Sequence, residues 1–135
     1  MSQSNQNIHP QTISDQFNTE RVVSSKNREY IRARVLKGQI TTNSYVDSLV
    51  IDCRLFETKL FHIKNKAAAN GLKFKILACV DPVFGWAEIK AETTLAAASM
   101  TYEWDSEPWT YVKIQVKSAV DGSAATVDAW IAIKN

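Results

Sequence analysis

Paired acidic residues are the first candidates for catalysis in this sequence. Asp47 and Asp52 fall in one predicted strand, and Glu88 and Glu92 fall in another. Two carboxyl groups a few ångströms apart can hydrolyse a glycosidic bond, because one acts as an acid and the other as a nucleophile or base. All four acids, however, occupy the polar positions of alternating strands, where aspartate and glutamate are ordinarily exposed to water. We therefore interpret them as solvated surface residues.

Histidine and cysteine could form a nucleophilic pair. The two histidines are His9, in a polar N-terminal segment, and His62, which lies between Phe61 and Ile63 and points to the opposite side of its strand. Cys53 and His62 both fall in early predicted strands, so a nucleophilic pair stays open, but no local motif supports it. We interpret His62 as a partly exposed strand residue.

Metal and nucleotide sites also lack their usual motifs. The two cysteines, Cys53 and Cys79, have no CxxC spacing or neighbouring histidine, and both lie among apolar residues, which favours two buried reduced thiols over a disulfide. A phosphate-binding loop needs several glycines close together. The four glycines are isolated at predicted turns: Gly38, Gly71, Gly85 and Gly122. The sequence therefore predicts a non-enzymatic protein with no metal and no cofactor.

The elements that position these residues are predicted to be β-strands. Polar and apolar residues alternate with a period of two in seven segments, which is typical of strands with one buried side. These segments are 46–53, 58–65, 72–80, 86–94, 99–104, 109–117 and 125–133. Asn70-Gly71 and Asp121-Gly122 are turn signals between strands. This pattern therefore predicts that residues 44–135 form an all-β antiparallel β-sandwich or β-tulip-like domain of about seven strands.

Residues 1–43 are predicted to form an extended, polar and basic N-terminal arm. Serine, threonine, asparagine and glutamine make up eleven of the first 18 residues. The arm carries six basic and three acidic residues, a net charge of +3, against ten basic and eleven acidic residues, a net charge of −1, in 44–135. Residues 27–37 fit either a short helix or a strand, and we favour the extended form because helix-starting signals are few.

The net charge and the lengths of the apolar segments bear on the partners and location of the protein. A net charge of +2 in 135 residues is weak support for nucleic-acid binding. The first 20 residues contain no apolar segment of the kind found in secretory signals, and no segment reaches the length of a transmembrane helix. We expect a protein that stays soluble, without a membrane partner.

Aromatic residues cluster late in the sequence, at Tyr102, Trp104, Trp109 and Tyr111. Exposed aromatic rings of this kind can form a platform for carbohydrate, which Trp104, Trp109 and Tyr111 would provide. Large aromatic side chains also fill cores and interfaces, and we favour that role for these rings. Exposure of the three rings separates the two interpretations.

The last two-thirds of the chain resembles a group of small virion accessory proteins of tailed bacteriophages. The residues that carry the resemblance are Phe61–Asn65, Asn70–Leu77, Ala91–Ala98, Trp109–Lys117 and Ala124–Ala129. Their order, with a "TTLAA" link before "PWTYVKIQVKS", is most similar to capsid decoration (cement) proteins. The resemblance covers roughly residues 58–133 and consists of strands and links, without a catalytic motif.

The resemblance implies a viral structural protein of the capsid surface, made in the host cytoplasm. Such a protein forms a homotrimer and binds the lattice of the major capsid protein, with extended termini strapping neighbouring subunits. The arm residues predicted to make these contacts are Ile8, Ile13, Phe17, Arg21, Arg28, Arg32 and Arg34. The alternative is a tail- or fibre-associated module that binds a host carbohydrate through Trp104, Trp109 and Tyr111.

Overall fold

The described part of the chain forms two antiparallel β-sheets, which confirms the all-β sandwich. The computed structural model describes residues 19–23 and 29–135, with side chains from residue 31 onward. The strands are β1 (Thr19–Val23), β2 (Glu29–Ile40), β3 (Val46–Asp47), β4 (Ile51–Asp52), β5 (Thr58–Asn65), β6 (Leu72–Cys79), β7 (Ala87–Leu95), β8 (Met100–Asp105), β9 (Tyr111–Ser118) and β10 (Thr126–Lys134). A short 3-10 turn, Pro82–Phe84, precedes β7.

The strand order differs from the order along the chain. Sheet A has the order β1-β2-β10-β5-β8. Sheet B has the order β3-β9-β6-β7, and β4 also pairs with β9. The last strand, β10, therefore lies between β2 and β5 in the middle of sheet A. Every strand pair that the structure describes is antiparallel.

The core lies between the sheets because alternate residues of each strand point inward. In β10 the inward residues are Val127, Ala129, Ile131 and Ile133, all buried. The neighbouring strand β5 adds Phe61 and Ile63, and the facing sheet B contributes Leu72, Phe74, Ile76, Val112, Ile114 and Val116, all buried. The period-two pattern predicted these inward positions correctly, because only one register of each strand buries its apolar residues.

The predicted boundary at residue 43 is wrong, because β2 belongs to the sandwich. This strand pairs with β10 along its length, from Tyr30 opposite Lys134 to Ile40 opposite Thr126. Four of its side chains lie in the core: Ile31, Ala33, Val35 and Leu36. The extended form expected for 27–37 is confirmed for the strand residues, but they do not form an arm outside the domain.

The predicted strand over 46–53 is broken into β3 and β4. Between them, Ser48 exchanges hydrogen bonds with Ile114 of sheet B, its N–H donating at 2.8 Å and its Oγ accepting at 2.9 Å. The next N–H, of Leu49, donates to the Val35 carbonyl of sheet A at 3.2 Å. The segment therefore links the two sheets, and a backbone that bonds to both cannot continue as a strand of either one.

A buried carboxylate accounts for the irregular pairing of β2 and β10. Gly38 has a φ of +56°, which favours glycine, and its N–H donates to Asp128 Oδ1 at 2.7 Å. Asp128 also pairs with Arg34 at 2.9 Å and with Lys66 at 3.2 Å. The Asp128 carboxylate thus accepts the backbone N–H of the bulge and forms ion pairs with two cations.

Within the part of the chain that the structure describes, we find no helical segment with the length and hydropathy of a membrane span.

Candidate binding face

The outer side of sheet A carries a row of stacked side chains. Trp130 on β10 lies opposite Arg34 on β2 and His62 on β5, and His62 lies opposite Tyr102 on β8. The His62 ring stacks on Tyr102 with centroids 4.3 Å apart and on Trp130 at 4.9 Å. The Arg34 guanidinium lies 5.4 Å from the centre of the Trp130 ring. Cross-strand packing of this kind stiffens a sheet.

A second row places Trp104 beside the first. Ala132 lies opposite Leu60, and Leu60 lies opposite Trp104 on the edge strand β8. The Trp104 side chain is 67% exposed and that of Tyr102 is 52% exposed. We call these rows together the aromatic face, defined by Leu60, His62, Tyr102, Trp104, Trp130 and Ala132. Two exposed aromatic rings beside partly buried ones make this face a candidate interaction site.

His62 is held in this stack in its neutral form. Burial is the largest cause that lowers the pKa of His62, and the charges of Arg32 and Lys64 lower it further. Its Nε2 atom is buried and has no hydrogen-bond partner among the described residues. A neutral imidazole between two rings positions them and is poorly placed to take up a proton.

Two clefts flank the exposed Trp104 ring. One is a groove of about 100 Å³ lined by Thr58, Leu60, Trp104, Ala132 and Lys134. The other is a cleft of about 410 Å³ lined by Thr58, Trp104, Asp105, Ser106 and Glu107. The groove is mostly apolar and the cleft mostly polar, and because Thr58 and Trp104 line both, the indole borders two surfaces of different chemistry.

A buried lysine supports the loop beside Trp104. Lys59 on β5 is 0% exposed, and its Nζ donates to the Glu107 carbonyl oxygen. The same ammonium lies 3.5 Å from Asp105 Oδ2, which also accepts the Glu107 N–H at 3.2 Å. A buried charge needs such partners to offset its lost hydration. The loop after β8 is therefore tied to the interior of the sandwich.

The three predicted platform residues do not form one surface. Trp104 lies on the outer side of sheet A, whereas Tyr111 begins β9 in sheet B, beside the Arg54 guanidinium. Trp109 is partly buried against the core, and its Nε1 atom is buried without a hydrogen-bond partner in the described part of the chain. The chain crosses from one sheet to the other between these residues, so only Trp104 keeps an exposed ring.

Sequence reasoning missed His62 and Trp130 as neighbours of Tyr102. Alternation within each strand correctly placed Tyr102 and Trp104 on the same side of β8. It also placed the side chains of His62 and Phe61 on different sides of β5. The pairing of β10 with β5 and of β5 with β8 brings the rings together, and the separate strands carry no signal for that order.

The outer side of sheet B is polar, and its lysines have partners. Lys73, Lys75 and Lys113 pair with Glu92, Glu88 and Asp47 at 3.4, 3.0 and 2.9 Å. The ammonium groups of Lys75 and Lys117 lie 4.8 and 5.1 Å from the centre of the Tyr45 ring. Lys113 lies 4.4 Å from the Trp86 ring. Lysines neutralised in this way make this side a weaker candidate site than the aromatic face.

The predicted arm residues fall into three groups. Ile8, Ile13, Phe17 and Arg28 lie outside the described residues, and Arg21 lies in β1, with a side chain that is also outside the description. Arg32 is exposed on β2, next to the aromatic face. Arg34 lies on β2 within the sandwich and pairs with Asp128 at 2.9 Å, and its contact with a capsid subunit stays a prediction.

The two cysteines lie on either side of the chain that enters β9, where the backbone of each hydrogen-bonds to Thr110, and both are unpaired and buried. Burial, the largest cause, raises the pKa of Cys53 to about 11 although the nearby Lys59 lowers it. Burial also raises the pKa of Cys79. The Cys53 Sγ donates to the Trp109 carbonyl oxygen at 3.3 Å. In the described residues we find no group of three or more side chains that could hold a metal ion.

We expect both thiols of the folded protein to resist an aromatic disulfide reagent at pH 8. Only a thiolate reacts, and raised pKa values together with burial should slow the reaction at least about 100-fold relative to the urea-unfolded chain. Absorbance of the released thiol measures both rates. The variants Cys53→Ser and Cys79→Ser assign each reaction, and a fast thiol in the folded protein would contradict the buried geometry.

Comparisons with known proteins give the class of fold. No known family model and no curated protein matches the sequence. The structure is similar to a chain of Bacillus endospore appendages, which form disulfide-linked pili, with 11% identity, a TM-score of 0.51, and coverage of 78% of this chain and 86% of that one. It is also similar to a chain of the T13 particle of infectious bursal disease virus, with 9% identity, a TM-score of 0.52, and coverage of 79% and 31%. Such low identities show the fold alone, an antiparallel β-sandwich.

Proposed function

We propose that this protein is a non-enzymatic structural component of a phage particle, a decoration protein that binds and stabilises the capsid lattice. Its partners are the major capsid protein and other copies of itself, in a homotrimer on the outer capsid surface. The resemblance of residues 58–133 to such proteins supports the proposal, as does the antiparallel β-sandwich that the described residues form.

The observation that carries the proposal is the attachment of the N-terminal segment. A segment that straps a neighbouring subunit transmits force to the domain that anchors it. Residues 1–18 lead directly into β1 at the edge of sheet A, and β1 pairs with β2 from Thr19 opposite Ala33 to Val23 opposite Glu29. Because β2 is buried in the sandwich, a load on the N-terminus reaches the core through two paired strands.

Spaced apolar side chains give this segment its binding chemistry. Ile8, Ile13 and Phe17 stand among eleven polar residues, so each can insert into a separate small pocket on a capsid subunit. Each buried side chain of this size contributes about 1.5–3 kcal/mol. Repetition of the same weak contacts by three linked copies then produces a much higher apparent affinity.

Co-sedimentation with capsids of the phage that encodes the chain tests this proposal. We expect full-length protein to bind at a saturating, stoichiometric ratio. Combining Ile8→Ser, Ile13→Ser and Phe17→Ser should weaken binding at least about 100-fold, because three buried contacts are lost.

A matched control keeps the number of substitutions and removes only polar side chains. The triple variant Asn5→Ser, Gln11→Ser and Gln16→Ser should bind as the unaltered chain does. Failure of full-length protein to sediment with capsids would refute the proposed function. Equal binding by both triple variants would show that these N-terminal side chains do not contact the capsid.

A further inference from the structure

The surroundings of Trp104 combine the two chemistries that a sugar ring presents. The exposed indole on β8 has the apolar side chains of Leu60 and Ala132 along one side. Trp104 also lines the cleft of about 410 Å³, which is large enough for a small ligand. The polar groups of that cleft are Thr58, Asp105, Ser106 and Glu107.

We propose that this cleft binds a neutral, β-linked oligosaccharide, with one sugar ring stacked on Trp104. A pyranose with equatorial substituents has a flat face of axial C–H bonds and a rim of hydroxyl groups. The C–H face packs on an exposed aromatic ring, and the rim donates hydrogen bonds to carboxylate and hydroxyl oxygens. This site lies outside the N-terminal segment, so it is independent of the proposed capsid contact.

The acceptors of the cleft are held in place before any ligand arrives. Asp105 accepts the Glu107 N–H at 3.2 Å and lies 3.5 Å from the Lys59 ammonium, which is itself completely buried. Lys59 also holds the Glu107 carbonyl oxygen from within the sandwich. A site that is ordered beforehand loses less conformational entropy when it binds.

The balance of charge indicates a neutral ligand. Of the two acidic residues that line the cleft, Asp105 lies 3.5 Å from the buried Lys59 ammonium, and Lys134 lines the adjoining groove. The carboxylates of the cleft disfavour an acidic sugar, and the nearby ammonium groups reduce the attraction for a quaternary ammonium ion. The chemistry of the cleft therefore favours uncharged sugars such as β-linked glucose and N-acetylglucosamine.

The indole N–H resonances of the full-length protein provide the test, because the chain has four tryptophans. We expect cellotetraose or chitotetraose to shift the Trp104 resonance saturably, with a dissociation constant on the order of 1 mM. The indole resonance of Trp86, which lies beside Lys113 on the other sheet, should not shift. In the variant Trp104→Ala, the affinity for the oligosaccharide should fall at least about 10-fold. The amide resonances of the neighbouring Tyr102 and Leu60 measure it.

The variant Trp86→Ala is the matched control, because Trp86 lies beside Lys113 on the other sheet. It should bind the oligosaccharides as the unaltered chain does, and melting curves check that both variants fold. The proposal fails if neither oligosaccharide causes a saturable shift at about 20 mM. It also fails if Trp104→Ala binds equally well, or if choline binds and the sugars do not. None of these results depends on capsid binding.

Discussion

Deleting residues 1–43 is expected to prevent cooperative folding of the chain. The deletion removes β2, which pairs with β10 and contributes Ile31, Val35 and Leu36 to the core. Burial of three such side chains accounts for about 5–9 kcal/mol, close to the whole stability of a typical domain. Exposed edges of β10 should then promote aggregation. Far-ultraviolet circular dichroism and thermal unfolding measure the result.

The matched control is a deletion of residues 1–18 alone, which leaves β1 and β2 intact. We expect this shorter chain to unfold cooperatively with nearly the midpoint of the full-length protein. A cooperative transition in the chain lacking residues 1–43 would show that β2 is dispensable and would overturn the described strand order.

Asp128→Ala is expected to lower the free energy of unfolding by about 3 kcal/mol at pH 7. The carboxylate is 4% exposed and serves three partners, the Gly38 N–H, Arg34 and Lys66. Its loss leaves the Arg34 guanidinium and the Gly38 N–H without their acceptor. The free-energy cost of leaving these groups unpaired exceeds the net contribution of the Arg34–Asp128 ion pair to stability. Urea unfolding monitored by tryptophan fluorescence measures the change.

The effect of Asp128→Ala should depend on pH in a defined direction. Burial alone would raise the pKa of Asp128, but the Gly38 N–H, Arg34 and Lys66 together lower it below the usual aspartate value. A carboxyl whose pKa is lowered by folding contributes stability above its unfolded pKa, about 3.9, and loses that stability as the pH falls through its folded pKa. The difference between the two proteins should therefore shrink below about pH 4.

An exposed carboxylate serves as the control for Asp128. Glu57→Ala removes an exposed acid next to β5 and should change stability by less than about 0.5 kcal/mol. An Asp128→Ala effect as small as this, or one that grows on acidification, would contradict the described network.

The strands of the interior could be predicted from the sequence because their alternation is regular. β6, β9 and β10 carry an apolar residue at every second position, and the structure buries those residues. The sequence places β2 in an arm because Arg32, Arg34 and Lys37 continue the basic composition of the segment before it, and a regular alternation begins only at Ser44. The acceptor of Arg34 and of the Gly38 N–H is Asp128, ninety residues after Gly38, and local pattern gives no sign of that partnership.

The candidate site was predicted only in part, for a related reason. Trp104, Trp109 and Tyr111 are close in sequence, but the loop after β8 takes the chain from sheet A to sheet B. His62 and Trp130 are distant in sequence from Tyr102, and hydrogen-bonded strands bring the three rings into contact. Side-chain alternation determines which side of a strand a residue occupies, and strand order determines its neighbours.

The central position of β10 in sheet A governs how this chain can be made. During synthesis, β2 and β5 emerge from the ribosome long before the strand that separates them, so β2 can pair with β1 and β5 with β8, but neither can pair with β10. Sheet A is completed only after β10 has left the exit tunnel. Until then β2 and β5 each keep an unpaired edge, which a chaperone can protect from neighbouring nascent chains.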